Sequence, residues 1–193
     1  MLIRITDQRG PGEATGGAGV SSPRRSTRIP SEAGDGTGTT GKISVRPARI
    51  PDMRDVEPLI RTFANENLML PKGLDQLSRT FREFVVAVDE DDFVIGCGAL
   101  RVYTEELAEV CSLAVDAAWQ RGGVGRKIVE ALTEEAGRLG LSEIFALTLR
   151  PEFFKKLGFE VVVKENFPLK VWADCRNCPK LHACDEIAVA RKV

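Results

Sequence analysis

The chain has 193 residues, a formal net charge of −1 and 43% hydrophobic residues. That length suits one domain with a real core, and the near-neutral charge gives no electrostatic reason to expect nucleic acid or an anionic membrane as partner. No apolar run approaches the roughly 20 residues that a membrane-spanning helix needs, and five cysteines, three of them crowded near the end, make no secreted disulfide framework in a chain this size.

A reducing cytoplasm is therefore the expected setting. Residues 1–41 hold Gly10, Gly12, Gly16, Gly17, Gly19, Gly34, Gly36, Gly38 and Gly41, interleaved with Ser, Thr, Pro and Arg. Such a segment cannot bury enough apolar surface to offset its chain entropy, so it is expected to be disordered. It lacks the apolar stretch of a secretory signal, and Asp7, Glu13, Glu32 and Asp35 argue against a transit peptide. A start codon set too far upstream would give the same appearance. The folded domain is expected at residues 42–193.

Ile43–Arg49 alternates like a strand. Asp52 is placed to cap a helix that carries Val56, Leu59, Ile60 and Phe63 on one face. Pro71 and Gly73 punctuate a loop, and Leu74, Leu77 and Phe81 mark a second short helix. Phe84–Val88 and Phe93–Leu100 read as strands joined by the acidic turn Asp89–Asp92, a solvated loop rather than a metal site. Leu107–Val115 is the next strand.

It runs into Gln120-Arg121-Gly122-Gly123-Val124-Gly125-Arg126, a glycine-rich turn that opens a helix with Val124, Ile128, Val129, Leu132, Ala136 and Leu139 at helical spacing. Glycine lets backbone approach a ligand closely. The first turn of a helix has N–H groups without intrahelical partners and the positive end of the macrodipole, which suits a pyrophosphate. Gln120, Arg121 and Arg126 add donors and charge there. Glu143–Leu149 is a further strand, Glu152–Phe159 a short helix ending on Gly158, and Glu160–Val163 the strand after it.

The spacing Gln-Arg-Gly-Gly-Val-Gly resembles the acyl-CoA loop of the GNAT superfamily of N-acetyltransferases, with Leu113-Ala114-Val115 in the place of the strand before it. Phe153-Phe154-Lys-Lys-Leu-Gly158-Phe159 is similar to the aromatic-x-x-x-Gly-Phe element of that family. The resemblance implies an α/β fold with a central mixed, mostly antiparallel sheet flanked by helices. It implies acetyl-CoA as co-substrate, with Leu113, Ala114, Val115, Gln120, Arg121, Gly122, Gly123, Val124, Gly125, Arg126 and Phe154 around it. The combination of Gly96–Arg101, Ala108–Val115, Phe145–Thr148 and Phe153-Phe154 is narrower. It looks like the acetyltransferase domain of the bacterial N-acetylglutamate synthases, the enzymes that open arginine biosynthesis. The long synthases also carry an arginine-sensing amino-acid-kinase domain, which residues 1–41 are too few to fold, so a stand-alone form without that feedback is expected.

Acetyl transfer to an amine needs a neutral amine, a polarised carbonyl and a proton for the departing thiolate. Glu109, where family synthases have Glu, is the candidate base, against the plain alternative of a surface strand residue. Backbone N–H groups of Leu113 and Val115 are the candidate polarising donors. Thr148 aligns with the hydroxyl residue that resembles a proton donor in related synthases. The Tyr that often serves as general acid in the family is replaced by Phe154. Cys111 reads as a packed thiol rather than a nucleophile. Glutamate brings two carboxylates, for which the candidate cations are Lys72, Arg101 and Lys170, with Lys72 and Lys170 the stronger pair.

In the tail at 172–186, Cys175, Cys178, His182 and Cys184 offer four ligands for zinc, or three thiolates for an iron–sulfur cluster, or remain plain thiols. The leading expectation is a glutamate N-acetyltransferase acting on small molecules. The rivals are an acetyltransferase of protein N-termini or other small amines, and a metal- or redox-responsive acyl-CoA binder without turnover. A homodimer stays open.

Overall fold

In a computed structural model, residues 42–167, 175–178, 180 and 183–193 are described, all within the compact unit Thr37–Val193. The expected positions Lys170 and His182, and the whole of residues 1–41, lie outside the described residues. The elements run β1 (Ser44–Pro47), α1 (Met53–Asn65), α2 (Leu74–Thr80), β2 (Phe84–Val88), β3 (Val94–Val102), β4 (Leu107–Val115), α3 (Val124–Arg138), β5 (Glu143–Thr148), α4 (Pro151–Lys155), β6 (Glu160–Val161) and β7 (Ile187–Lys192). They build one sheet in the order β1-β2-β3-β4-β5-β7-β6. Every neighbouring pair is antiparallel except β4–β5. No helix among the described residues is long and apolar enough to cross a membrane.

The alternation of side chains along each strand divides the interior into two layers. Val110 of β4 packs with Val124, Ile128, Val129 and Leu132 of α3 on one face. Ala99, Ala114 and Cys97 pack with Met53, Val56 and Ile60 of α1 and Leu77 of α2 on the other. Gly98 lets α3 press against β3: a Cβ there would stand 2.6 Å from the Ile128 side chain, a distance that real contacts do not tolerate.

Two local expectations differ from the structure. Asp52 precedes α1 but makes no side-chain cap. Its carboxylate instead accepts from Arg46 Nη1 (2.6 Å), Arg46 Nη2 (3.0 Å) and the Arg49 N–H (2.7 Å), because a short 3₁₀ turn over Ile50–Asp52 aims it back at β1. The last strand of the reading, Glu160–Val163, is a strand only over Glu160 and Val161, with the Val162 N–H still donating to the Ala188 carbonyl at 3.0 Å, and β7 enters between it and β5.

Candidate functional site

The two strands of the parallel pair touch only at their beginnings. Leu107 pairs with Glu143, Ala108 with Ile144 and Glu109 with Phe145; beyond that β4 and β5 diverge. Glu109 therefore stands at the apex of a wedge, and its side chain is 2% exposed. The carboxylate Oε2 accepts a hydrogen bond from the Tyr103 hydroxyl at 3.1 Å. Arg101 is its register partner on β3, so the guanidinium and the carboxylate share one sheet face. Arg101 Nε also reaches Glu83 Oε2 at 3.4 Å.

Along the wedge β4 carries a bulge. Ala99 pairs with Cys111 and Cys97 with Ala114, leaving one extra residue on β4, and Ser112 takes the left-handed conformation with φ 52°. The bulge fixes where the backbone donors point. The Ser112 carbonyl accepts from the Cys97 thiol on β3 (3.5 Å), so the N–H of Leu113 on the same peptide points away from β3. Past the bulge, the Asp116 N–H donates to the Ile95 carbonyl on β3 at 2.9 Å, so Val115 turns its N–H and C=O to the opposite edge. Gln120 Nε2 donates to that Val115 carbonyl at 3.2 Å. Both N–H groups expected to polarise a carbonyl thus face the wedge.

The glycine turn closes the wide end. The Asp116 carboxylate accepts from the Ala118 N–H (2.9 Å) and opens a 3₁₀ turn over Ala117–Trp119. Gly123, the residue before α3, has φ +75°, a conformation in which a Cβ is strained. Arg121 and Arg126 are exposed beside it, Arg126 with its Nε 2.7 Å from Glu130. Arg126, Lys156 and Arg191 line a cavity of about 370 Å³ together with Glu130, Leu157 and Gly158.

Phe154 does not face the turn. It is 5% exposed and sits in the core with its ring 5.1 Å from Phe153 and 5.2 Å from Phe159. The neighbouring Phe153 takes the position at the turn, its ring edge against Gly125. Thr148 ends β5 three residues beyond Phe145, about 10 Å along the strand from the level of Glu109. Its Oγ1 accepts from the Arg150 N–H at 2.9 Å, so the hydroxyl proton is left to donate elsewhere. Lys72 is half-buried in the loop before α2.

The zinc or iron–sulfur expectation for Cys175, Cys178, His182 and Cys184 is overturned. Among the described residues no three His, Cys, Asp or Glu side chains gather to hold a metal ion. Cys184 Sγ lies 3.2 Å from the ammonium of Lys164, a cation that repels a metal ion. Cys97 is fully buried, and burial pushes its thiol up to about 12, which leaves it inert.

Tyr103, absent from the sequence reading, is brought to Glu109 by the fold alone. It is the sole tyrosine in the chain, and a tight turn returns it over β4: its N–H donates to the Leu107 carbonyl at 2.9 Å.

Comparison with known proteins agrees with this geometry. Residues 80–161 match the family model described as an acetyltransferase (GNAT) domain. The chain is 42% identical over 147 residues to an uncharacterized N-acetyltransferase of Chlorobaculum tepidum, covering 76% of this chain and 94% of that one. It is 39% identical to an amino-acid acetyltransferase of Mycobacterium tuberculosis, over 60% of this chain and 67% of that one. A solved N-acetylglutamate synthase of Neisseria gonorrhoeae, complexed with coenzyme A and N-acetyl-glutamate, superposes with a TM-score of 0.70 at 25% identity. That match covers 78% of this chain and 35% of the synthase, so the chain spans about a third of the longer protein.

Proposed function

This chain belongs to the GNAT acetyltransferase family, and on that footing we propose that it transfers the acetyl group of acetyl-CoA to the α-amino group of L-glutamate. The products are N-acetyl-L-glutamate and CoA, the entry reaction of arginine biosynthesis. The chain is an acetyl-CoA-dependent enzyme of the amino-acid acetyltransferase type, as the relatives from Mycobacterium tuberculosis and Neisseria meningitidis are by name. Glutamate as the acceptor is the finer part of the reading.

One observation carries it: a buried carboxylate, Glu109, at the apex from which β4 and β5 diverge. In this reading the thioester lies in the wedge with its carbonyl oxygen toward the N–H groups of Leu113 and Val115. Glu109 takes a proton from the ammonium, directly or through water, and the neutral amine attacks the carbonyl carbon. The tetrahedral intermediate collapses, the C–S bond breaks, and the second proton shed by the nitrogen is relayed to the thiolate, with the Thr148 hydroxyl as the candidate donor that gives its own proton and takes that one back. The diphosphate of the co-substrate takes the first turn of α3 beside Gln120, Arg121 and Arg126. The cationic cavity lined by Arg126, Lys156 and Arg191 suits its phosphorylated adenosine end.

Lys72 and Lys170 are the proposed partners of the two glutamate carboxylates, with Arg101 beside the base. The same reading sets the enzyme in the cytoplasm, a reducing compartment suited to five cysteines. A screen of the twenty amino acids with acetyl-CoA and a thiol-detecting reagent tests the proposal. Glutamate is expected to release CoA fastest. Equal turnover with glutamine or with simple amines sinks the acceptor assignment and leaves the acetyltransferase standing.

A further inference from the structure

The face of the sheet that carries Glu109 has a second polar group whose placement the fold controls closely. Arg101 and Glu109 oppose each other in register, so Tyr103, two residues after Arg101, shares their face and lies diagonal to Glu109. The turn between β3 and β4 holds it there: the N–H groups of Tyr103 and Thr104 both donate to the Leu107 carbonyl, at 2.9 and 3.2 Å. Aromatic packing holds the ring. Its centroid is 5.9 Å from that of Phe145, the register partner of Glu109 on β5, and Phe145 in turn stacks on Phe167 at 4.0 Å. The phenol then donates to Oε2 of Glu109 at 3.1 Å.

We propose that Tyr103 is a positioning residue for the base: it holds Oε2 so that Oε1 is turned to the amine, and it keeps the buried carboxylate ionised. This rests on the role given to Glu109 above. Burial alone disfavours the charged form of a carboxylate, and a hydrogen bond donated to that form favours it. The other groups on this face are Arg101, which reaches Glu83, and Cys111 of β4. Phe145 and Leu147 come from β5, and α1 presents Met53, Val56 and Ile60. Among these described residues, Arg101 and Tyr103 favour a negative charge at Glu109. When Glu109 takes the amine proton on Oε1, the phenol keeps its own proton and the bond to Oε2 weakens, so no proton leaves the pair.

Tyr103→Phe removes the hydroxyl and keeps the ring against Phe145, so the fold is expected to survive. The acidic limb of the kcat/KM profile for the amino acid should move up by about one pH unit or more, the scale of one hydrogen bond to a charged group. The loss should approach tenfold on the acidic limb and vanish toward higher pH, with the KM for acetyl-CoA unchanged. A profile superimposable on that of the wild type overturns the inference.

A second measurement needs no turnover. With a single tyrosine in the chain, absorbance at the tyrosinate band reports Tyr103 alone. Its titration should lie above the ordinary value of about 10 and fall by about one unit in Glu109→Gln, because the neighbouring anion opposes ionisation. Identical titrations in the two proteins overturn the inference whatever the catalytic result. A shifted titration in a protein that transfers no acetyl group upholds the coupling and instead sinks the catalytic reading of Glu109.

Discussion

Gly125 and Phe153 meet across the mouth of the glycine turn, where a Cβ built on Gly125 would stand 3.4 Å from Cζ of the ring and 3.8 Å from a methyl of Val115. A Cβ alone thus fits at Gly125 in ordinary contact and only a larger side chain meets the ring, unlike Gly123, whose φ of +75° strains any side chain. The γ carbons of a branched residue at 125 reach beyond that Cβ and crowd the Phe153 ring.

Gly125→Val is therefore expected to raise the KM for acetyl-CoA by roughly tenfold, equivalent to ~1.4 kcal/mol of binding. The KM for glutamate should change little. Initial-rate kinetics with each substrate varied in turn check this, and an unchanged acetyl-CoA KM would separate the turn from co-substrate binding.

Glu109→Gln keeps the shape of the side chain and its capacity to accept the Tyr103 hydroxyl, but removes the base. Turnover should fall by ~10²–10⁴ with acetyl-CoA affinity retained, and the deficit should narrow at high pH, where the amine is already neutral. A rate equal to the wild type at neutral pH removes Glu109 from the mechanism.

Much of this was legible in the chain because local pattern and tertiary need coincide. Leu107–Val115 alternates and ends on a glycine turn, and it is β4 with those bounds. The helix after it was read from Val124, Ile128, Val129, Leu132, Ala136 and Leu139; it buries the first five, while Leu139 is its exposed C-cap. Three features were not legible, each for a physical reason. The bulge at Ser112 leaves no trace in alternation, since only the pairing partner reveals an extra residue. Tyr103 lies in a turn, where no periodicity marks a side chain that folds back. Phe153 and Phe154 are adjacent and alike, and only the helix phase decides that Phe153 meets the turn while Phe154 enters the core. The tail cysteines misled because spacing along a chain does not fix direction in space, and Cys184 faces an ammonium.

Acceptor recognition is tested at Lys72 and Lys170. Lys170→Met should raise the glutamate KM well over tenfold, in line with a charge-assisted contact of ~1.5–3 kcal/mol, and Lys72→Met should act in the same direction. The KM for acetyl-CoA should hardly move. Intact glutamate kinetics in both variants would show that other groups hold the carboxylates.

Asp52 provides a test of stability rather than chemistry. Burial pushes its carboxyl up, but the hydrogen bonds from the Arg46 guanidinium and the Arg49 N–H outweigh burial and leave it below the ordinary carboxylate value. A lowered folded-state value gives stability that is full above the unfolded value of about 3.9 and is lost as pH falls through the folded one. Asp52→Ala should cost about 2 kcal/mol in urea unfolding at pH 7. That gap should close as the wild type is acidified below about pH 4, and a gap that stays constant with pH would show that packing, not charge, anchors α1 to β1.

The strand order β5-β7-β6 sets the timing of assembly on the ribosome. β6 leaves the exit tunnel well before β7, yet β7 must be seated on β5 before β6 has an edge to join. Until then the nascent chain presents the bare margin of β5 as an unpaired edge open to non-native strand pairing. β1 to β4 need no such wait, since each finds its neighbour through the hairpin or crossover already made. The half of the sheet that carries the bulge is thus built early, and β5 gains its outer neighbour last.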